Sequence, residues 1–290
     1  MKILILYNIA KQLKKGIETD LICEQEIAII APLIKKLLED RGYSVQTMET
    51  DFNVWENLKK EKESVDLALN LAEAFGGGNS NETLFPEILE ALEIPFTGAS
   101  SHNMHLTLDK EKTKLVASYY GIPVLRHQIF RKAEDKLIPG LNFPMIVKPI
   151  REEASIGIYQ GSVVVSRKQL YAKVQAVLEK YKQPAIVEEF IEGREISVGI
   201  IGNTPDLTIF PPLEFLFPDA KSPFEKIRAY EYKWGGKKEQ MIRAYLSKKT
   251  VRKLEEYTRI AYETTECRDY ARMDYRLDNA GNIYFLEANY

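Results

Sequence analysis

The sequence predicts an α/β fold over roughly its first hundred residues and an α+β architecture beyond them. Three observations lead there. Short apolar runs alternate with helical stretches up to about residue 100, the pattern changes from Asp109 onward to runs that read mostly as strands, and a turn-forming cluster separates the last two strands. The chain has 290 residues, 45% of them hydrophobic, enough to bury a sizeable core in two or three domains.

Residues 3–7 form an apolar run ending in polar residues, the signature of a buried parallel strand. Ile27, Ile30, Leu33, Ile34, Leu37 and Leu38 then recur at helical spacing, with Pro32 marking a kink or start and Gly42 placed for a C-cap. Strands are predicted at 45–48, 67–71 and 94–97, with helical stretches between them such as 83–92. Such alternation implies a parallel three-layered unit. A helix from Asp109 ends near Gly121, followed by strand-like 123–130 and the apolar 144–147. Further strands are predicted at 162–165, 185–189 and 195–201, with a helix over 167–181. Residues 218–240 are polar and poorly periodic, 248–264 are helical, and two strands finish the chain. No internal repeat or low-complexity segment appears.

Composition excludes several classes of partner. Forty basic and forty-two acidic residues nearly cancel, so no global field exists to hold nucleic acid or an anionic membrane. Cys23 and Cys267 are too few for a disulfide framework, which fits a reducing cytoplasm. No signal peptide is read at the N-terminus, and no apolar run approaches the ~20 residues that span a bilayer. His102 and His105 lack a third nitrogen or sulfur partner nearby, so they and His127 read as ordinary polar residues.

Three segments can carry chemistry. In 271–290, turn residues Asp278-Asn279-Ala280-Gly281-Asn282 separate two strands. If Asp278 pairs with Ile283, Asp274 lies opposite Glu287 and Arg272 opposite Asn289 on one face, with Met273, Tyr275, Leu277, Tyr284, Leu286 and Ala288 on the other. Asp274, Glu287 and Asn289 then offer hard oxygen ligands to Mg²⁺, or else form one charged face of a surface hairpin balanced by Arg272. In 147–158, Lys148 leaves a buried strand into a stretch containing Ala154, Ser155 and Gly157, which reads either as an anion cradle or as a plain hairpin connection. In 185–195, an apolar strand runs into acids, either a backbone edge that reads an adenine or a set of solvated carboxylates. No GxxxxGK[ST] or GxGxxG occurs, which disfavours a P-loop protein, a dinucleotide-binding domain and a protein kinase.

Taken in this order, the segments resemble the ATP-grasp fold, and within it the D-alanine:D-alanine ligase group, over nearly the whole chain. The resemblance implies an N-terminal Rossmann-like pre-ATP-grasp domain over 1–100, a central lobe over 101–187 and a C-terminal lobe over 188–290. It implies phosphate contacts from Lys110, in Leu108-Asp109-Lys110, and from Lys148, Ser155 and Lys233. Glu188, Glu189, Phe190 and Ile191 look like the adenine-reading connection, and Glu195 like the acid that holds the ribose hydroxyls. Asp274, Glu287 and Asn289 look like the metal ligands, Arg272 like the group that stabilises the reacting carboxyl phosphate, and Glu24 like the anchor of the first amino acid's ammonium. The implied activity is ATP-dependent joining of a small carboxylate to an amine in the cytoplasm through an acyl phosphate, with ATP and Mg²⁺, or Mn²⁺, as cofactors. A homodimer is also implied by the family.

The sequence departs from that group at several positions. Ala154 stands where those ligases carry a serine, Trp234 where they carry a tyrosine, and Asn70-Leu71-Ala72-Glu73 followed by Gly76-Gly77-Gly78 replaces the usual glycine-rich loop. Tyr290 directly follows the metal motif, where such ligases continue into a loop holding the second amino acid; the acceptor site is either completed by further residues or built differently. A nucleotide-binding protein without ligation, acting as a sensor or partner-binding module, is the alternative. Retention of Arg272, which adenine binding alone does not need, favours the ligase.

Overall fold

Ile3, Leu4, Ile5 and Leu6 are buried on both faces of β1 (Lys2–Tyr7), as a central parallel strand requires. The computed structural model describes residues 1–22, 25–73 and 81–290, which divide into two compact units, Met1–His105 and Leu106–Tyr290. In the first unit α1 (Ile27–Glu39) leads to β2 (Ser44–Glu49), α2 (Val54–Glu61) to β3 (Leu67–Leu71), and α3 (Leu84–Ala91) and α4 (Ser101–Thr107) follow. The strands form a parallel sheet in the order β2-β1-β3. Pro32 lies inside α1, and Gly42 adopts a left-handed φ of +84° while donating its N–H to Glu39 O at 2.8 Å. The strand predicted at 94–97 is absent. It is reduced to a single parallel bridge between Ala68 and Phe96, because Pro95 has no N–H to donate and only Thr97 N and Pro95 O reach Ala68. Glu24 and Gly76 to Gly78 lie outside the described residues.

The second unit contains two antiparallel sheets. After α5 (Lys110–Tyr119) come β4 (His127–Phe130), β5 (Met145–Pro149), β6 (Val163–Val164), α6 (Arg167–Tyr181) and β7 (Ala185–Glu189), with strand order β4-β7-β5-β6. The other sheet is built from β8 (Gly193–Asn203), β9 (Asp206–Ile209), β10 (Leu213–Leu216), β11 (Gln240–Arg243), β12 (Tyr270–Asp278) and β13 (Ile283–Asn289). Its order is β11-β10-β8-β12-β13, with β9 also paired to β8. A single turn, α7 (Tyr230–Lys233), lies in the poorly periodic stretch, and α8 (Lys248–Thr264) packs Leu254, Tyr257, Ala261 and Tyr262 onto Ile196, Val198, Met273 and Tyr275. One sheet face is thereby committed to the core. The other displays Glu195, Ser197 and Gly199 on β8 beside Arg276, Asp274 and Arg272 on β12. No helix among the described residues is long and apolar enough to cross a membrane.

The β12–β13 hairpin corrects one expectation and preserves another. Leu277, not Asp278, pairs with Ile283, yet Asp274 still faces Glu287 and Arg272 still faces Asn289, because the register shifts by one between Asp274 and Tyr275. The extra residue is Leu286. This bulge resets the alternation of β13, so Ile283, Phe285 and Ala288 are buried in the core, whereas Tyr284 and Leu286, expected on that face, are not.

Gly193 opens β8 where the backbones of β8 and β12 come together. A Cβ there would stand 2.1 Å from the Leu277 carbonyl oxygen and 3.0 Å from Asp278 Cα, neither of which is a movable side chain. Gly193→Ala is therefore expected to lower the unfolding free energy by about 1–3 kcal/mol. Urea denaturation measures it, and an unchanged midpoint would contradict the close approach.

Candidate active site

The second unit holds a cavity, open to solvent, between its two sheets. Its wall collects most of the residues singled out in the sequence. Lys148 and Ser155 come from β5 and the loop after it; Glu188, Glu189, Phe190 and Ile191 from β7 and its exit; Glu195 from β8. Lys233 ends α7, while Arg272, Asp274, Glu287 and Asn289 come from the bulged hairpin. Lys110 is not on the wall but is buried beside it, with its ammonium on the Glu152 carbonyl.

At the base lies an ion cluster with no water-exposed member. Glu188, 0% exposed, receives Lys114 Nζ at 2.9 Å on one oxygen and Lys148 Nζ on the other. Burial alone would raise the Glu188 carboxyl, but the two ammoniums outweigh it and hold the group far below the usual carboxylate range. For Lys148, burial is likewise outweighed by Glu188 and Glu287, and its ammonium is held above the ordinary lysine range. Glu188, placed by sequence on the adenine-reading connection, thus serves as the shared counter-ion of two lysines. Lys114 went unnoticed in sequence because Lys110-Glu111-Lys112-Thr113-Lys114 looks like a solvated helix face.

At one end of the cavity, Glu195 accepts from Arg276 Nη1 at 3.4 Å and from the Arg228 N–H at 3.3 Å. Burial pushes its carboxyl up to about 7, Arg276 opposes that, and Asp274 and Glu287 add to it. Arg276 also donates to the carbonyls of Ile191 and Lys226 at 2.8 Å, while its buried Nη2 has no partner among the described residues. Its guanidinium lies 5.2 Å from the Phe190 ring centre. The Phe190 N–H is taken by Pro144 O, so Ile191 is the residue of this connection whose backbone N–H is open to a ligand.

At the other end, Asp274 accepts from Ser197 Oγ at 2.7 Å, Arg272 Nε at 3.0 Å and Asn289 Nδ2 at 3.1 Å. The Glu287 carboxylate makes no hydrogen bond among the described residues. Burial would raise its carboxyl, yet Lys110, Lys148, Arg272 and Lys114 surround it and hold it below its ordinary value. Among the described residues no three His, Cys, Asp or Glu side chains converge as a metal cluster. The donor set is instead two carboxylates and an amide, and an ionised, unbonded Glu287 opposite Asp274 fits a hard divalent cation.

Above the cavity, Ala154 and Ser155 both adopt left-handed φ values, +52° and +64°. Ser155 Oγ donates to Arg228 O at 2.7 Å and the Trp234 indole N–H to Ala154 O at 3.1 Å, which ties this turn to the segment carrying Lys233. Among the described residues no backbone acceptor takes the Ala154 or Ser155 N–H, and both residues line the cavity with Lys148 and Lys233, an arrangement suited to anionic oxygens.

Removing the shared counter-ion leaves two ammoniums in a dry site. Glu188→Gln is expected to cost about 3–5 kcal/mol of stability at neutral pH. Because the folded Glu188 carboxyl titrates below its unfolded value, its stabilisation is full above the unfolded range and drains away on acidification. The gap between wild type and Glu188→Gln in chemical denaturation should accordingly narrow below about pH 4; a constant gap would contradict the ionised state.

The D-ala D-ala ligase C-terminus family model matches residues 116–290. A D-alanine–D-alanine ligase of Carboxydothermus hydrogenoformans is 31% identical over 274 residues, covering 90% of this chain and 80% of that protein. An uncharacterised protein of Sinorhizobium fredii is 31% identical over 266 residues, covering 90% of this chain and 77% of its own. Among solved structures, the D-alanine–D-alanine ligase of Bacillus anthracis aligns with a TM-score of 0.75 at 19% identity, covering 100% of this chain and 86% of that one, a likeness of fold. The family match and the 31% identical ligase together establish that this chain belongs to the D-alanine–D-alanine ligase family, ATP-dependent carbon–nitrogen ligases of the ATP-grasp fold.

Proposed function

We propose that the protein joins the carboxylate of one amino acid to the amine of another, at the expense of ATP and through an acyl phosphate. The observation that carries this reading is one cavity whose wall brings together Lys148, Lys233, Glu195, Arg272, Asp274 and Glu287. Glu195 and the Ile191 N–H would take the ribose and the base, while Lys110, Lys148, Lys233 and the N–H groups of Ala154 and Ser155 would take the phosphates. Asp274, Glu287 and Asn289 would hold Mg²⁺, or Mn²⁺, which when bound offsets charge on the phosphate oxygens. A carboxylate oxygen of the first substrate attacks the γ-phosphorus and ADP leaves. The amine of the second then attacks the acyl carbon, loses a proton and releases phosphate. Arg272, tethered by Asp274, is set to stabilise the oxyanion that develops in both steps. The two sheets of the second unit act as the two lobes that enclose the nucleotide. The names of the relatives support D-amino acids as first candidates.

Phosphate release measured with ATP, Mg²⁺ and separate pools of D- and L-amino acids should be stimulated by at least one pool. Hydroxylamine should intercept the acyl phosphate as a hydroxamate. Absence of stimulation by every pool would turn the reading towards a nucleotide-binding module without ligation. In the active mixture, Arg272→Gln should lower kcat by about 10²–10³-fold, and a kcat within a few-fold of wild type would remove Arg272 from the chemistry.

A pH effect follows from Glu195. Its carboxyl, displaced from an ordinary 4.5 to about 7, keeps a proton in the folded protein that the unfolded chain has already lost. This group's contribution to ligand-free stability therefore falls as pH rises from about 4.5 to 7 and is flat above. The ribose hydroxyls need the ionised form as acceptor, so adenosine should bind more tightly at about pH 8 than at about pH 6. Titration calorimetry across that range tests this; Glu195→Gln should flatten the profile, and an equally steep profile in the variant would assign it elsewhere.

A further inference from the structure

Lys114 belongs to no wall of the cavity, yet its whole side chain is withdrawn from water in the middle of α5. An ammonium has three donors. Those of Lys114 face three acceptors: Glu188 Oε1 at 2.9 Å, Leu286 O at 2.8 Å and Phe285 O at 3.3 Å. The first is the carboxylate that pairs with Lys148. The other two are the carbonyls just before Glu287, at the bulge where the β12–β13 ladder slips and leaves backbone groups to be satisfied elsewhere. One ammonium thus touches the partner of the phosphate-side lysine in one sheet and the strand bearing the metal-side carboxylate in the other.

We infer that Lys114 is a positioning residue for the phosphate and metal end of the site, fixing at once the counter-ion that aims Lys148 and the bulge that turns Glu287 into the cavity. The inference rests on the proposed placement of phosphates and metal. A filler role is inconsistent with the contacts, since an apolar side chain of the same length would fill the space without desolvating a charge. A role confined to folding is inconsistent with where the contacts fall, because each one ends on a group adjoining Lys148 or Glu287. Adenosine provides the internal control, as its expected wall at Glu195 and Phe190 is built on Arg276 and Arg228, which Lys114 does not touch.

The test uses binding alone, so that it is separate from the question of ligation. Calorimetry on the full chain should show that Lys114→Met weakens MgATP about tenfold or more and raises the Mg²⁺ concentration for half-saturation similarly, while adenosine affinity stays within about twofold. Adding Glu188→Gln to Lys114→Met should weaken MgATP less than Glu188→Gln does alone, because the two residues act through one contact. Should the Met variant not fold, Lys114→Gln, which retains one donor without charge, must show the same separation of MgATP from adenosine. Equal losses for both ligands, or wild-type constants in a folded variant, would overturn the inference. Failure of amino acids to stimulate phosphate release would leave these constants readable and count only against ligation.

Discussion

A single carboxylate with no access to water sets the geometry of the site. Glu188 is central in its sheet, paired across β7 to His127 on one side and Ile146 on the other, and its oxygens bring together lysines from α5 and β5. A buried charge is tolerated only if its partners are placed to match. The cluster therefore fixes the relative position of α5, β5 and β7, and through Lys114 that of β13. The fold can vary around this point far more easily than at it.

The cluster is costly as a source of stability, because each ion is desolvated and apolar residues would pack as well. Its benefit lies in preorganisation. Cations held rigidly by buried partners need no reorganisation when charge develops beside them, and a buried cation is worth more than one at the surface. The disposition of acids supports this. Glu287 is held below its ordinary value by the four cations that surround it, whereas burial, with Asp274 and Glu287 adding to it and Arg276 opposing, pushes Glu195 towards protonation. Two glutamates on one sheet face thus acquire opposite tendencies, one held ionised among cations and the other raised towards its neutral form.

Much of this was readable from sequence, for reasons that differ by element. β7, α6 and α8 match their predicted spans because apolar runs and helical periodicity there agree with what they bury. β9, β10 and β11 were missed, since strands of four residues each are too short to show a period. The hairpin is more instructive. Its pairing near the turn was misjudged by one residue, yet the facing of Asp274 and Glu287 held, because the bulge at Leu286 absorbs the difference. Lys114 and Arg276 escaped notice since burial of a charge is a tertiary fact: nothing in the local pattern separates them from solvated neighbours until Glu188 and Glu195 are placed against them.

The two departures at Ala154 and Trp234 are in contact. Ala154 adopts a left-handed φ, and the Trp234 indole N–H donates to its carbonyl. Two successive non-glycine residues with positive φ cost about 1–3 kcal/mol each, and they persist here because Trp234 holds one and Arg228 O accepts the hydroxyl of the other. Alanine at 154 brings no hydroxyl to the cavity, and the polar atom of Trp234 is consumed by the backbone rather than offered to a ligand. The cavity at this corner is lined by Ala154 and Lys233, whose ammonium lies 5.7 Å from the Trp234 ring centre. Replacing Trp234 by a residue without a donor would leave the Ala154 carbonyl unanswered, whereas a substitution at 154 keeps the backbone carbonyl that the indole N–H meets.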